Sequence, residues 1–72
     1  MTKALPANFN PELVTIMKSA LDAAVHRIER SHRTPATKAK MAQRIVRTAS
    51  EGVTELDKLM FAAVEEGRVP AA

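Results

Sequence analysis

The sequence predicts an all-α protein that folds as a small three-helix bundle. Apolar residues recur three and four positions apart, which is the period of one helix face. Ala, Leu, Glu, Lys and Arg favour helix over strand and are abundant, whereas the chain has only two Gly and four Pro. These observations predict helices at about residues 11–30, 35–50 and 54–66.

The chain length predicts one domain with a marginal core. Among 72 residues, we expect the domain at 10–67, between a flexible N-terminal arm at 1–9 and a C-terminal tail at 68–72. A domain of this size buries only about 60% of the surface that its unfolded chain exposes. Thirteen residues are Ala, and there is no Trp, Tyr or Cys. Self-association as a homodimer is therefore expected to supplement the small core.

The first helix has a clear N-terminal signal. Asn10 is a good N-cap, and Pro11 suits the first helical position because its missing N–H has no partner to lose there. Phe9 and Val14 are placed to form a hydrophobic staple across this cap. The expected apolar face comprises Leu13, Met17, Ala20, Leu21, Ala24, Val25 and Ile28.

Capping residues and glycines predict the limits of the other two helices. Either Thr34 or Thr37 can cap the second helix, and both alternatives stay open. Gly52 is expected to stop it, Thr54 to cap the third helix and Gly67 to end that one. The expected inward faces are Met41, Ala42, Ile45, Val46 and Ala49, then Leu56, Leu59, Met60, Ala63 and Val64.

Charge is segregated along the chain. Residues 27–47 carry a net charge of +6, and residues 48–72 carry a net charge of −3. Such segregation indicates association, either within one chain or between chains. The cations that we single out for contact with phosphates or with an acidic partner are Arg30, Arg33, Lys38, Lys40, Arg44 and Arg47.

The turn between the last two helices resembles that of a helix-turn-helix, in the order Gly52, Val53, Thr54. A reading helix needs Arg, Asn or Gln at its start. The third helix instead begins with Glu55 and Asp57, which would repel phosphates. This pattern argues against a helix-turn-helix that reads bases.

The basic second helix leaves two interpretations open. Its cations can lie on phosphates without reading bases, which would make the chain a small nucleic-acid-associated protein. No aromatic residue lies among them to stack on bases. Alternatively, they form a solvated face that is partly paired with the acidic third helix, and this interpretation is favoured.

The sequence lacks the residue constellations of an enzyme. His26 and His32 are six positions apart, which is not the spacing of two metal ligands on one helix face. There is no nucleophile beside a base and no Gly-rich phosphate loop. We therefore expect no catalytic residue, no metal, no cofactor and no small-molecule substrate. With no apolar membrane span or signal segment visible, we expect a cytoplasmic protein without a membrane partner.

Two large apolar residues, Ile16 and Phe61, are predicted to lie outside the three-helix core and to take part in self-association. A basic helix beside an acidic one can also dock two copies by reciprocal charge pairing. The favoured function is therefore a non-enzymatic helical interaction module that self-associates as a homodimer.

A resemblance rests on Ala42, Arg44, Ile45, Val46, Ala49, Gly52, Leu56 and Leu59. Through these positions, residues 10–66 resemble a group of short uncharacterised alphaproteobacterial three-helix proteins. Gln43 stands where that group has an acidic residue, and Val53-Thr54 replace a more charged turn. The resemblance implies the three-helix layout and no functional site.

Overall fold

Three α-helices and one short 3-10 helix form the part of the chain that a computed structural model describes, residues 11–69. The helices are α1 (Pro11–Val25), η1 (Arg30–His32, the 3-10 helix), α2 (Pro35–Ser50) and α3 (Leu56–Gly67). No strand occurs within residues 11–69. The predicted all-α three-helix bundle is confirmed. The predicted arm, the Asn10 cap and Phe9 of the staple lie outside the described residues.

Helix α1 ends at Val25, earlier than the predicted end near residue 30. The N–H of Arg27 donates to the carbonyl of Ala24, at 3.0 Å, so the last turn is already tightened. Glu29 then adopts φ −59° and ψ 143°, which leaves the helical region. Ile28 is nevertheless buried, so the apolar period continues past the end of the helix. For this reason the sequence pattern predicted a longer helix.

Helix α2 has the predicted limits, and its cap is Thr34. The hydroxyl oxygen of Thr34 accepts a hydrogen bond from the N–H of Thr37 at 3.2 Å. The Thr34 hydroxyl also donates to the Thr37 hydroxyl at 3.0 Å. Thr37 itself is buried, so it supports the cap from inside the first turn.

Gly52 ends α2 as predicted, in a left-handed conformation with φ +102°. The N–H of Gly52 donates to the carbonyl of Ala49 at 3.0 Å, and that of Val53 to the carbonyl of Thr48 at 3.4 Å. This pair of bonds is a Schellman motif, which favours glycine at the left-handed position. It also brings the Val53 side chain against the core.

Helix α3 begins at Leu56, and the prediction that Thr54 caps it is wrong. The N-cap is Glu55, whose carbonyl accepts the first helical bond from the N–H of Leu59 at 3.0 Å. The Glu55 side chain makes no capping hydrogen bond. Glu55 is extended, at φ −87° and ψ 134°, so the helix starts one residue later than a Thr54 cap would give.

The three helices run up, down and up, because short connections join α1 to α2 and α2 to α3. Helix α3 packs extensively on both of the others. Buried apolar residues of all three helices form the core, and four of these nine are Ala: Leu13, Ala20, Ala24, Ile28, Met41, Ile45, Ala49, Leu59 and Ala63. Val46 and Leu56, which were predicted to face inward, are exposed.

Gly67 has a different role from the predicted helix stop. It is the last residue of α3, it is buried, and its φ is not positive. A Cβ at this position would lie 2.8 Å from Sδ of Met41 and 3.0 Å from Cγ2 of Ile28. The missing side chain therefore lets the end of α3 approach the other two helices closely.

Candidate functional site

The up-down-up topology places the C-terminal ends of α1 and α3 beside the N-terminal end of α2. Most of the cations that the sequence singled out lie there, and Arg27 and Arg68 join them. We call this region the basic end: Arg27, Arg30, His32, Arg33, Lys38, Lys40 and Arg68. The opposite end carries Glu12, Glu51, Glu55 and Asp57 with Lys58, and we call it the acidic end.

Arg33 closes the C-terminal turn of α1. Its Nη2 donates to the carbonyls of His26 and Ile28, each at 3.1 Å, and its Nε donates to Ile28 at 3.3 Å. A cation at a helix C-terminus satisfies carbonyls that have no helical partner and complements the helix dipole. The guanidinium of Arg33 is therefore engaged with its own chain, although the sequence marked it as a phosphate contact.

Two further side chains of the basic end bind carbonyls at the end of α3. Nδ1 of His32 donates to the Gly67 carbonyl at 3.2 Å, and Nζ of Lys40 donates to the Val69 carbonyl at 3.3 Å. His32 is therefore a bridge between η1 and α3, whereas the sequence suggested a polar loop residue. Part of the positive charge at this end serves to hold helix ends together.

Lys40, Arg44 and Arg47 line one shallow groove of about 190 Å³ together with Gln43 and Glu66. Nη1 of Arg44 lies 3.7 Å from Oε2 of Glu66, and these side chains are 36% and 30% exposed. The predicted pairing between the basic second helix and the acidic third helix thus occurs at this contact. Arg47 has no acidic partner in the part of the chain that the structure describes.

Arg30 and Lys38 are exposed and do not line that groove. Neither side chain pairs with a carboxylate among residues 11–69. The six cations marked by the sequence therefore separate into a groove of three, two solvated side chains and one helix-capping guanidinium.

A second groove, of about 340 Å³, was not found from the sequence. It is lined by Arg27, Ile28, Glu29, His32, Val64 and Arg68. Arg68 lies just after α3 and Arg27 just after α1, so they are distant in sequence. The expected order of three helices could have indicated this groove, because an up-down-up topology brings the ends of the first and third helices together.

Phe61 lies on the solvent side of α3 and is 61% exposed, as predicted. Ile16 was predicted to lie outside the core as well, and this is wrong: it is partly buried and packs against the core cluster. Ile16 lies beside the apolar stripe of α1 and widens the buried face of that helix. A helix that packs against two neighbouring helices buries a wider face than one narrow stripe.

Phe61 belongs to a row of exposed residues along the outside of α3, which we call the outer stripe: Glu55, Lys58, Phe61, Glu65 and Arg68. Their spacing of three or four places Lys58, Phe61 and Glu65 on one face of α3, and Glu55 and Arg68 are the residues that cap its two ends. Lys58 Nζ lies 3.2 Å from Oε1 of Glu55, and Arg68 Nε lies 3.7 Å from Oε2 of Glu65. Three of these four charged side chains are largely exposed, and Glu65 is 44% exposed.

A further polar contact lies at the end of α1, between His26 and Asp22. His26 lies 3.9 Å from the carboxylate of Asp22, and its Nδ1 donates to the Asp22 carbonyl at 2.8 Å. Among residues 11–69, no three His, Asp or Glu side chains are grouped to hold a metal ion. Within the same residues, no helix is both long enough and apolar enough to cross a membrane.

Comparison with known proteins gives no further guide to this surface. No family model matches the chain, and neither the curated proteins nor the solved structures include a match. The resemblance to alphaproteobacterial three-helix proteins stays a prediction.

Proposed function

We propose that this chain is a non-enzymatic helical interaction module that self-associates as a homodimer. The observation that carries the proposal is Phe61, a large aromatic residue left on the surface of α3. The core beneath it is small, because four of its nine buried apolar residues are Ala. Burying a Phe side chain contributes about 1.5–3 kcal/mol, so association would add appreciably to a marginal domain.

Charge separation supports the same proposal. A basic end and an acidic end on one small domain give two copies complementary surfaces, which guide association and orientation. The proposed location is the cytoplasm, because a chain without Cys suits a reducing compartment.

The test is the mass of the protein in solution across a concentration series. Light scattering should show a rise from the chain mass of 7.8 kDa towards twice that value. A mass that stays at that of one chain at the highest concentration would reject self-association.

A second candidate function is contact with nucleic-acid phosphates. The supporting observation is the groove in which Lys40, Arg44 and Arg47 lie on one side of α2. Three cations in a row suit a phosphate backbone, and such contacts need no base readout. Glu66 in the same groove lowers the expected affinity, because it already pairs with Arg44.

This candidate predicts DNA binding that weakens steeply with salt. Replacing Lys40, Arg44 and Arg47 together with Ala should lower the slope of log affinity against log salt by about 2–3, since each phosphate contact contributes about 0.9. The matched control removes three cations outside the groove, Lys18, Arg27 and Lys58, and should retain more of the slope. Absence of binding by the native chain at low salt would reject the candidate.

A further inference from the structure

The outer stripe of α3 has an order of charges that is complementary to its own reverse. Along the helix the order is Glu55, Lys58, Phe61, Glu65, Arg68: negative, positive, aromatic, negative, positive. Read in the opposite direction, each position carries the opposite charge, and the aromatic residue stays at the centre. The pairs Glu55 with Arg68 and Lys58 with Glu65 share one midpoint, the peptide bond between Phe61 and Ala62.

We propose that two copies of this chain pack α3 against α3 in antiparallel orientation, about a two-fold axis beside Phe61. This inference rests on the proposed self-association and specifies its interface. Lys58 then faces Glu65 of the second copy, and Arg68 faces Glu55 of the second copy. A two-fold axis repeats each contact, so these two pairings become four ion pairs around a central aromatic contact.

The ion pairs within one chain do not prevent ion pairs between the two copies. Glu55 with Lys58 and Glu65 with Arg68 are pairs at the two ends of α3, and their side chains are exposed to solvent. Each pair can therefore accept the pair of opposite order from a second copy, which gives two clusters of two cations and two carboxylates. Exposed ion pairs contribute little affinity individually, so the aromatic centre supplies most of the attraction.

Charge order determines the orientation of the contact. In the antiparallel register every charge of the outer stripe meets an opposite charge. In a parallel register with Phe61 aligned, Glu55 meets Glu55 and Lys58 meets Lys58, which costs free energy. Interfaces commonly use such like-charge repulsion to exclude wrong arrangements.

The chemistry of the outer stripe also selects a second copy over other occupants. Its two cations and two carboxylates cancel, so it has no net attraction for nucleic-acid phosphates or for anionic lipid. Helices at van der Waals contact lie about 8–10 Å apart, a distance that long charged side chains can span.

The test uses two variants of opposite charge in the full chain. The acidic variant carries Lys58→Glu and Arg68→Glu, and the basic variant carries Glu55→Lys and Glu65→Lys. Alone, each should associate at least about tenfold more weakly than the native chain, because like charges then meet across the axis. An equimolar mixture should recover a heterodimer of native affinity in sedimentation equilibrium.

The matched control carries Lys18→Glu and Arg47→Glu, which reverse two exposed charges outside the outer stripe and outside the basic end. It should leave the dissociation constant of the dimer unchanged. Phe61→Ala tests the same interface without altering any charge, and it should weaken association by about tenfold or more. Circular dichroism of each variant checks that the helices are retained.

The outcomes separate the interface from the proposed function. If the native chain dimerises but Phe61→Ala leaves affinity unchanged, another surface forms the dimer and the α3 interface is wrong. Failure of two helical, oppositely charged variants to combine overturns it equally. If the native chain is monomeric at every concentration, self-association itself is rejected.

Discussion

The inner and outer faces of α3, a helix of twelve residues, differ in composition and in the contacts that they make. On the inner face, Leu59 and Ala63 are fully buried, and Gly67 allows the helix end to pack closely on α1 and α2. On the outer face, charged residues surround Phe61, which contributes nothing to the core. The inner face therefore stabilises the single chain, whereas the outer stripe is the surface that we propose for self-association. Changes on the two faces should therefore have separable effects.

The largest effect is expected from Leu59→Ala on the inner face. Leu59 has no exposed surface, so truncation leaves a cavity between the helices. The free energy of unfolding should fall by about 2–5 kcal/mol, measured by denaturant titration at low protein concentration. In a domain of marginal stability this loss can prevent folding. A loss below about 1 kcal/mol would contradict the assigned inner face.

A smaller loss is expected from Gly67→Ala. The added Cβ would meet Met41 and Ile28, and Met41 is fully buried, so its side chain has little room to move. Overpacking of this kind costs about 1–3 kcal/mol. Thermal and denaturant unfolding would measure the change.

Gly52→Ala is the matched control for that change. No atom lies within 4 Å of its added Cβ, so only the left-handed backbone opposes the substitution. We expect a cost of about 1–2 kcal/mol from that strain. Lengthening the side chain further, to Leu, should worsen the loss at Gly67 and not at Gly52. Equal losses of stability on replacing each glycine with Leu would contradict the close-packing role of Gly67.

The smallest effect on the single chain is expected from Phe61→Ala. Because Phe61 is mostly exposed, the free energy of unfolding at low concentration should change by no more than about 0.5 kcal/mol. The same substitution is the one expected to weaken association. A large loss of monomer stability would show that Phe61 packs on its own chain, and the contrast between the faces would fail.

Local signals in the sequence predicted α2 well. Proline at its start, a threonine cap and glycine at its end act within a few residues, so no distant contact is needed to interpret them. The choice between Thr34 and Thr37 needed the structure, because both hydroxyls take part and only geometry assigns the cap. The end of α1 was missed because Ile28 keeps the apolar period outside the helix.

The sequence by itself determined the helical class, the segregation of charge and the position of Phe61 off the apolar stripe. These properties follow from composition and from the helical period, which are local. Tertiary structure alone decided that Arg33 and His32 bind helix-end carbonyls, that Arg68 joins the basic end, and that Gly67 is a packing contact. The His32, Arg68 and Gly67 contacts depend on which helix ends meet, and that is a property of the topology rather than of any single segment. The Arg33 bonds depend on how the chain folds between α1 and α2.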